Sequence, residues 1–253
     1  MAKGNYVPPV KVPGTTVSLL TNTSKMPCVS WSLPAGESCP WALYGEGAIC
    51  DGCYAQQGMY VWKAVTNAQH VRFDWVRDCL KTDAGTDQFV RVMASAITQT
   101  RNNIFRVHDS GDLFSSDYID AWTRLVPLCP GIQFWFPTRS WRPMRMSKLT
   151  PEQRMRWEIS LLALAAEPNV TVRPSALFVN APAPVIPGLA AGSGASDSEW
   201  NCPASTQNNE CGSCRMCWFA PETPITYHLH GTAKAARNSR ARQKEARRVA
   251  RAA

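Results

Sequence analysis

No apolar run in this 253-residue chain is long enough to cross a bilayer. The longest candidate, residues 159–166, has about half of the ~18–20 residues that a helical span requires. The stretch after Met1 lacks a charged start, an apolar core and a small-residue cleavage site, so export is not expected. No internal repeat of fixed period is present either, which excludes a repeat architecture. Together these absences describe a soluble intracellular protein, long enough to bury a core without covalent staples. Acidic residues are scarce in one place above all. Residues 231–253 carry Lys234, Arg237, Arg240, Arg242, Lys244, Arg247, Arg248 and Arg251 against Glu245 alone, which is +7 of the formal +8. The rest of the chain is therefore nearly neutral.

What the chain does have is cysteine, ten in all. Cys211, Cys214 and Cys217 follow one another at two-residue intervals with Cys202 ahead of them, and Cys50 and Cys53 follow Cys39. A short turn between such cysteines points both sulfurs the same way, so each set can converge on one metal or cluster. A disulfide framework is the alternative, but small secreted domains need one and a chain of this size does not. Spacing then selects the species. Zinc sites pair two Cys-x-x-Cys knuckles across a longer loop, whereas strict succession with a remote fourth cysteine is the pattern of iron–sulfur runs, which favours a cluster over zinc for the C-terminal set. The N-terminal set has three members and leaves a metal open to substrate or cosubstrate, unless Cys28 closes it as a structural site. Cys79 and Cys129 read as small apolar residues.

Hydrophobic period places strands at residues 17–20, 28–33, 104–107, 132–136, 170–172 and 176–179. Helical spacing recurs over residues 58–80 and 86–98, and Ser116 caps a helix running to about residue 125. Thr150, Pro151, Glu152 and Gln153 form a capping box with Pro at the first helical position, opening a helix to about residue 166. Strands alternating with helices predict an α/β fold, a partial or complete parallel β/α barrel of TIM type. Four units are expected: a barrel-like domain over residues 1–180, a Pro-, Gly-, Ala- and Ser-rich linker or mobile loop over 181–200, a cysteine-rich metal module over 201–230, and the basic tail over 231–253. The tail has helix propensity without an apolar stripe. It reads as a nucleic-acid-binding end, or as a solubilising one.

In a parallel α/β sheet the chemistry gathers where strands end and loops open. That rule selects His108, Asp109, Ser110, Gly111 and Asp112 after the strand at 104–107, then Thr138, Arg139 and Ser140, then Arg173 and Ser175. His108, Asp109, Asp112 and Arg139 are the catalytic candidates. Ser110, Gly111, Asp112, Thr138, Arg173 and Ser175 are candidates for holding a cofactor, since a guanidinium fork matches the two oxygens of a carboxylate or phosphate. The plainer alternative makes Asp112 or Ser115 a helix cap and the arginines partners of core-edge acids. Trp135, Phe136 and Trp141 read either as a base-stacking cluster or as core.

The motifs Ser32-Leu33-Pro34-Ala35-Gly36-Glu37-Ser38-Cys39-Pro40, Cys50-Asp51-Gly52-Cys53-Tyr54-Ala55, His108-Asp109-Ser110-Gly111-Asp112-Leu113-Phe114-Ser115, and Cys202-Pro203-Ala204 with the run from Cys211 to Trp218 resemble the phage gene-product-eighty-eight family. That resemblance implies a phage or prophage origin and action in the cytoplasm of an infected or lysogenic host. More remotely, Cys-x-x-Cys-Tyr-Ala, Ser110-Gly111-Asp112 and Thr138-Arg139 resemble barrel proteins related to spore photoproduct lyase and other radical S-adenosylmethionine enzymes. By that resemblance Cys39, Cys50 and Cys53 hold a [4Fe–4S] cluster, and Ser110, Gly111 and Asp112 contact S-adenosylmethionine. This chain departs from the pattern, with ten residues between its first two cysteines where three are usual.

Three readings follow. The first is an iron–sulfur enzyme of radical S-adenosylmethionine type that modifies a nucleotide or nucleic acid, with an auxiliary cluster or zinc on the C-terminal cysteines. The second is a zinc-containing base-exchange enzyme resembling the transglycosylases, with Asp109 or Asp112 attacking the sugar. The third is a non-catalytic nucleic-acid-binding protein in which all seven cysteines are structural. The first is the expectation carried forward.

Overall fold

A computed structural model describes residues 6–23, 25–145 and 149–229. The expected basic tail, residues 231–253, lies outside the described residues. Strands β1 (Thr21–Asn22), β2 (Val29–Ser32), β3 (Ile104–Ser110), β4 (Gln133–Thr138) and β5 (Val170–Pro174) form one sheet in that spatial order. The pairs β2–β3, β3–β4 and β4–β5 are parallel, and β1 pairs antiparallel with β2 at one edge. Helices α1 (Lys63–Cys79) and α2 (Asp83–Thr98) connect β2 to β3, α3 (Ser116–Leu125) connects β3 to β4, and α4 (Pro151–Ala165) connects β4 to β5. Beyond β5, β6 (Ser193–Ser196) and β7 (Ile225–His228) form a two-stranded parallel sheet, with one helical turn, α5 (Met216–Phe219), between them in sequence.

The fold is thus α/β with a mostly parallel sheet, but the sheet is open. A two-residue antiparallel edge at β1 and a single bridge from Ser175 to Ser193 beyond β5 do not close a TIM barrel. Residues 17–20 make only the bridge Lys11–Ser18, and residues 176–179 only the bridge Ala48–Phe178, so neither is a strand. The stretch expected as a linker carries β6 and places Ile186 in the core. Among the described residues no helix is long and apolar enough to cross a membrane.

Local chemistry sets the helix starts. The Thr150 hydroxyl accepts from the Gln153 amide at 3.2 Å, while the Gln153 side chain accepts from the Thr150 amide at 3.0 Å, the capping box that the sequence spells. The cap of α3 is Ser115, one residue before the expected Ser116, its hydroxyl accepting from the Tyr118 amide at 3.2 Å.

Side chains alternate across the strands, so the sheet has two unlike faces. On one face Val29, Trp31, Phe105, Val107, Phe134, Phe136 and Val172 pack with Phe89, Met93, Trp122 and Leu161 of the helices. Each such side chain contributes about 1.5–3 kcal/mol by leaving water. Cys79 and Cys129 belong to this core, as small apolar residues do. The other face sets Ile104 and Trp135 against Trp218 of α5, and on it lie the positions of Arg106, Thr171 and Arg173 between those apolar ones.

Helix α2 begins close under the end of α1. A Cβ built at Gly85 would stand 2.3 Å from the backbone oxygen of Cys79. Ala at this position has better helix propensity by about 1 kcal/mol, yet the backbone clash outweighs that gain. Gly85→Ala is expected to lose about 1–3 kcal/mol, read as a lower urea midpoint. A raised midpoint would contradict the close approach.

Candidate functional site at the strand ends

The loop that leaves β2 bears the N-terminal cysteines and is fastened over the carboxyl ends of the parallel strands. At its start the Leu33 amide donates to the Ser110 carbonyl at 2.9 Å and the Ser110 hydroxyl donates to the Leu33 carbonyl at 2.8 Å. Gly111 has φ +90°, and a Cβ there would meet Ser38 Oγ at 2.5 Å and Leu33 Cβ at 2.7 Å. Only glycine lets the cysteine loop lie this near. Farther along, the Ile49 amide donates to the Leu177 carbonyl at 2.8 Å and the Val179 amide to the Gly47 carbonyl at 2.9 Å, so the loop reaches from β2 to the segment beyond β5. Arg142 holds its middle, donating to the Trp41 and Ala42 carbonyls at 2.5 and 3.2 Å.

Under this roof Cys39, Cys50 and Cys53 are neighbours. Burial pushes the Cys39 thiol up to about 12, and the negative charges of Asp112, Cys53 and Cys50 push the same way. Burial also raises Cys53, with Cys50 adding to the effect and Arg139 opposing it. Cys39 and Cys53 therefore stay protonated near neutral pH, and a bound cation would have to displace protons. Among the described cysteines none forms a disulfide. Nor, among the described residues, do three or more His, Cys, Asp or Glu side chains converge on one point where a metal ion could be held. The donor chemistry suits a soft metal, but the thiols stand side by side rather than as a finished cage. Cys28 is not of this group. It precedes β2 whereas the loop follows it, a separation of about 13 Å along a four-residue strand, and it packs with Ile104, Trp135 and Trp218.

Asp112 shares the mouth with the thiols. One carboxylate oxygen accepts from Thr138 Oγ1 at 2.5 Å and from the Leu113 amide at 2.7 Å, and the other accepts from the Arg139 amide at 2.9 Å. Burial raises its pKa against the pull of these bonds. Arg139 is tethered through Nε to the Ala176 carbonyl at 3.1 Å. Asp109 points to a second polar knot. Its carboxylate accepts from Ser30 at 2.8 Å and Tyr60 at 3.0 Å, and its carbonyl accepts from the Tyr54 hydroxyl. Arg106 donates to Tyr54 Oη at 3.0 Å and to the His108 carbonyl at 2.9 Å, its guanidinium 4.9 Å above the Trp135 ring. Every oxygen of both carboxylates already accepts a hydrogen bond, an arrangement that positions rather than frees a nucleophile.

His108 is placed elsewhere. Its Nε2 lies 2.8 Å from the Tyr118 hydroxyl, which in turn accepts from Trp31 Nε1 at 2.7 Å, on the side where the helices pack. Arg173 is fully buried and donates to the carbonyls of Ala191, Thr223, Ala220 and Met216 at 2.5, 2.7, 2.9 and 3.4 Å, so its fork holds backbone. Ser175 Oγ lies 3.3 Å from Ser193 Oγ where β5 meets β6. The structure therefore gathers Cys39, Cys50, Cys53, Asp112, Thr138 and Arg139, with Ser110 and Gly111 forming the seam beneath them. Ser30, Tyr54, Tyr60 and Arg106 were not anticipated. Two of them left a signal, Tyr54 as part of the Cys-x-x-Cys-Tyr-Ala motif and Arg106 as a lone charge inside an apolar strand.

Burial, then the nearby Arg106 charge, pushes His108 down from 6.5 to about 3. The unfolded chain takes up this proton near 6.5 and the folded chain does not, so stability falls as pH drops from 6.5 towards 3. The slope is at most about 1.4 kcal/mol per pH unit. His108→Gln is expected to flatten that slope when urea midpoints are compared between pH 7 and pH 5. Parallel profiles would place the titrating group elsewhere.

The family model described as Gene product 88 matches residues 11–220. The Gene 88 protein of Mycobacterium phage L5 is 32% identical over 141 residues, covering 53% of this chain and 54% of that protein. The Gene 88 protein of Mycobacterium phage D29 is 31% identical over 141 residues, with the same shares. The chain spans about half the length of these curated relatives. No solved structure matches it.

Proposed function

Because this chain belongs to the Gene product 88 family, shared with phage proteins, we propose a phage enzyme whose metal centre is the thiol group at the mouth of the sheet. In this reading Cys39, Cys50 and Cys53 hold an iron–sulfur cluster and leave one iron open for S-adenosylmethionine, and the substrate is a nucleotide or nucleic acid. What carries it is the meeting of the three thiols with Asp112 and Arg139, side chains from three successive strand ends, beneath a loop that Gly111 alone lets approach. Three protein ligands leave coordination open, as catalytic metals require.

The cluster would supply one electron to the sulfonium carbon–sulfur bond of the cosubstrate. The chain's own residues have the remaining tasks. Asp112, fixed by Thr138 and the Arg139 amide, would accept from the cosubstrate's ammonium group. Arg139, beside Cys53, would receive its carboxylate, which a guanidinium fork fits. The cysteine loop would exclude water from the strand ends. The excess positive charge of residues 231–253 would hold a polyanionic substrate. The base-exchange reading draws no comparable support, since Asp109 and Asp112 are both engaged by donors.

Anaerobically purified protein is expected to be brown and to contain iron and acid-labile sulfide. With a reductant and S-adenosylmethionine it should release methionine and 5′-deoxyadenosine. Cys50→Ala should lose one cluster's iron and this cleavage, whereas removal of residues 231–253 should leave both and weaken only polyanion binding. Zinc alone in the native protein, or undiminished cleavage by Cys50→Ala, would overturn the proposal.

A further inference from the structure

The second cysteine group has a member that spacing does not reveal. The amide of Cys211 donates to the Lys25 carbonyl at 3.1 Å, which ties the run from Cys202 to Cys217 to the segment leading into Cys28. Cys28, fully buried, forms one apolar cluster with Ile104, Trp135 and Trp218, and Cys217 and Tyr227 pack against it. Cys211 is the hub of the group. It lies within electrostatic reach of Cys28, Cys202, Cys214 and Cys217. Five cysteines from two distant parts of the chain thus meet under the polar face of the sheet.

That face carries two guanidinium groups, Arg173 buried and Arg106 half-buried. Arg173 is fully buried, its Nε has no hydrogen-bond partner, and its four acceptors are neutral carbonyls. Neither Arg173 nor Arg106 forms a salt bridge with a carboxylate among the described residues. The charged and titratable groups that face Arg173 are Tyr227, Cys217 and Glu222, and those that face Arg106 are Tyr54, Asp109, Tyr60 and Tyr227, together with Cys28 and Cys211. A buried guanidinium is stable only where an anion or a full set of acceptors compensates it. Four thiolates around a divalent ion carry a net charge of about −2, which supplies the anion that Arg173, held only by neutral carbonyls, lacks and adds to the Asp109 carboxylate facing Arg106.

We propose that these five cysteines supply a four-thiolate site for one soft divalent cation, zinc being the species tested, with Cys28 and Cys211 among its ligands and the half-buried Arg106 and fully buried Arg173 as its counter-charges. The site is separate from the mouth and independent of the function proposed for it. It fastens residues 202–217 to the sheet and so seals the polar face. The five thiols are neighbours without three of them meeting at one point, so the ion draws them together and its binding is coupled to ordering of the segment.

Cobalt(II) tests this directly, because its sulfur-to-metal charge-transfer band scales with the number of thiolates and its visible band reports tetrahedral geometry. The titration uses the full chain carrying Cys50→Ala, which removes the mouth centre from the signal. The expected result is a tetrahedral thiolate spectrum displaced by zinc. Adding Cys28→Ser should lower the charge-transfer intensity by about a quarter and the affinity at least tenfold, whereas adding Cys129→Ser, in the core away from the group, should change neither. Zinc should also raise the thermal midpoint of the Cys50→Ala chain, and Cys211→Ser should abolish that rise, a readout that survives if Cys28→Ser folds poorly. An unchanged band in Cys28→Ser would overturn its assignment as a ligand. No tetrahedral spectrum in the Cys50→Ala parent would overturn the site, while leaving the proposal for the mouth untouched.

Discussion

A guanidinium with no access to water, Arg173 on β5, dictates how one whole face of the sheet is covered. Helices could not have done it, because their outer surfaces offer no backbone carbonyls. The carbonyls of Ala191, Met216, Ala220 and Thr223 come instead from the irregular chain that follows β5 and from one helical turn. Trp218 rides on the same turn, donating from its indole to the Phe105 carbonyl at 2.9 Å, while its own carbonyl accepts from Thr171 at 2.7 Å. The sheet is thus layered asymmetrically, with an apolar helix-packed side and a polar side closed by the cysteine-bearing segment.

The asymmetry leaves the carboxyl ends of the strands as the place where loops are free to carry chemistry. Gly111 lets the loop from β2 settle there, and the hydrogen bonds of residues 47 and 49 to the segment after β5 keep it across the strand ends. Half-buried thiols beside the carboxylate of Asp112 resist ionisation, which disfavours them as bare thiolate nucleophiles and suits them to a cation that supplies the missing positive charge. The two carboxylates nearest the mouth act chiefly as fixed acceptors. Their geometry suits orienting a ligand rather than attacking one.

Much of this was legible in the sequence wherever the signal was local. The capping box at Thr150, the helical period over α1 and α2, and the β-branched and aromatic runs of β3 to β5 each follow from spacing alone. The strand-end rule selected Asp112, Thr138 and Arg139, and the structure brings these three side by side. Failures came where the deciding contact lay far off in sequence. His108 and Asp109 both read as following an apolar strand, but both lie within β3, where Tyr118 of the next helix meets His108 on the helix-packed side. Arg173 looks like an anion binder until the carbonyls of residues 191–223 are seen around it. Cys28 reads from the sequence as a possible fourth ligand of the N-terminal set, and only the direction of β2 separates it from the loop at Cys39. The Pro- and Gly-rich stretch after β5 reads as a linker because no short-range pattern announces β6, whose partner β7 lies some thirty residues on.

The most direct measurement is X-ray absorption at the iron edge of anaerobically purified protein, compared with a Cys39→Ala, Cys53→Ala double variant. The account predicts a sulfur shell at about 2.3 Å with a neighbouring iron shell, both diminished in the double variant. An iron edge showing only oxygen or nitrogen neighbours, or a sulfur shell unaffected by the two substitutions, would contradict a metal centre at the mouth of the sheet.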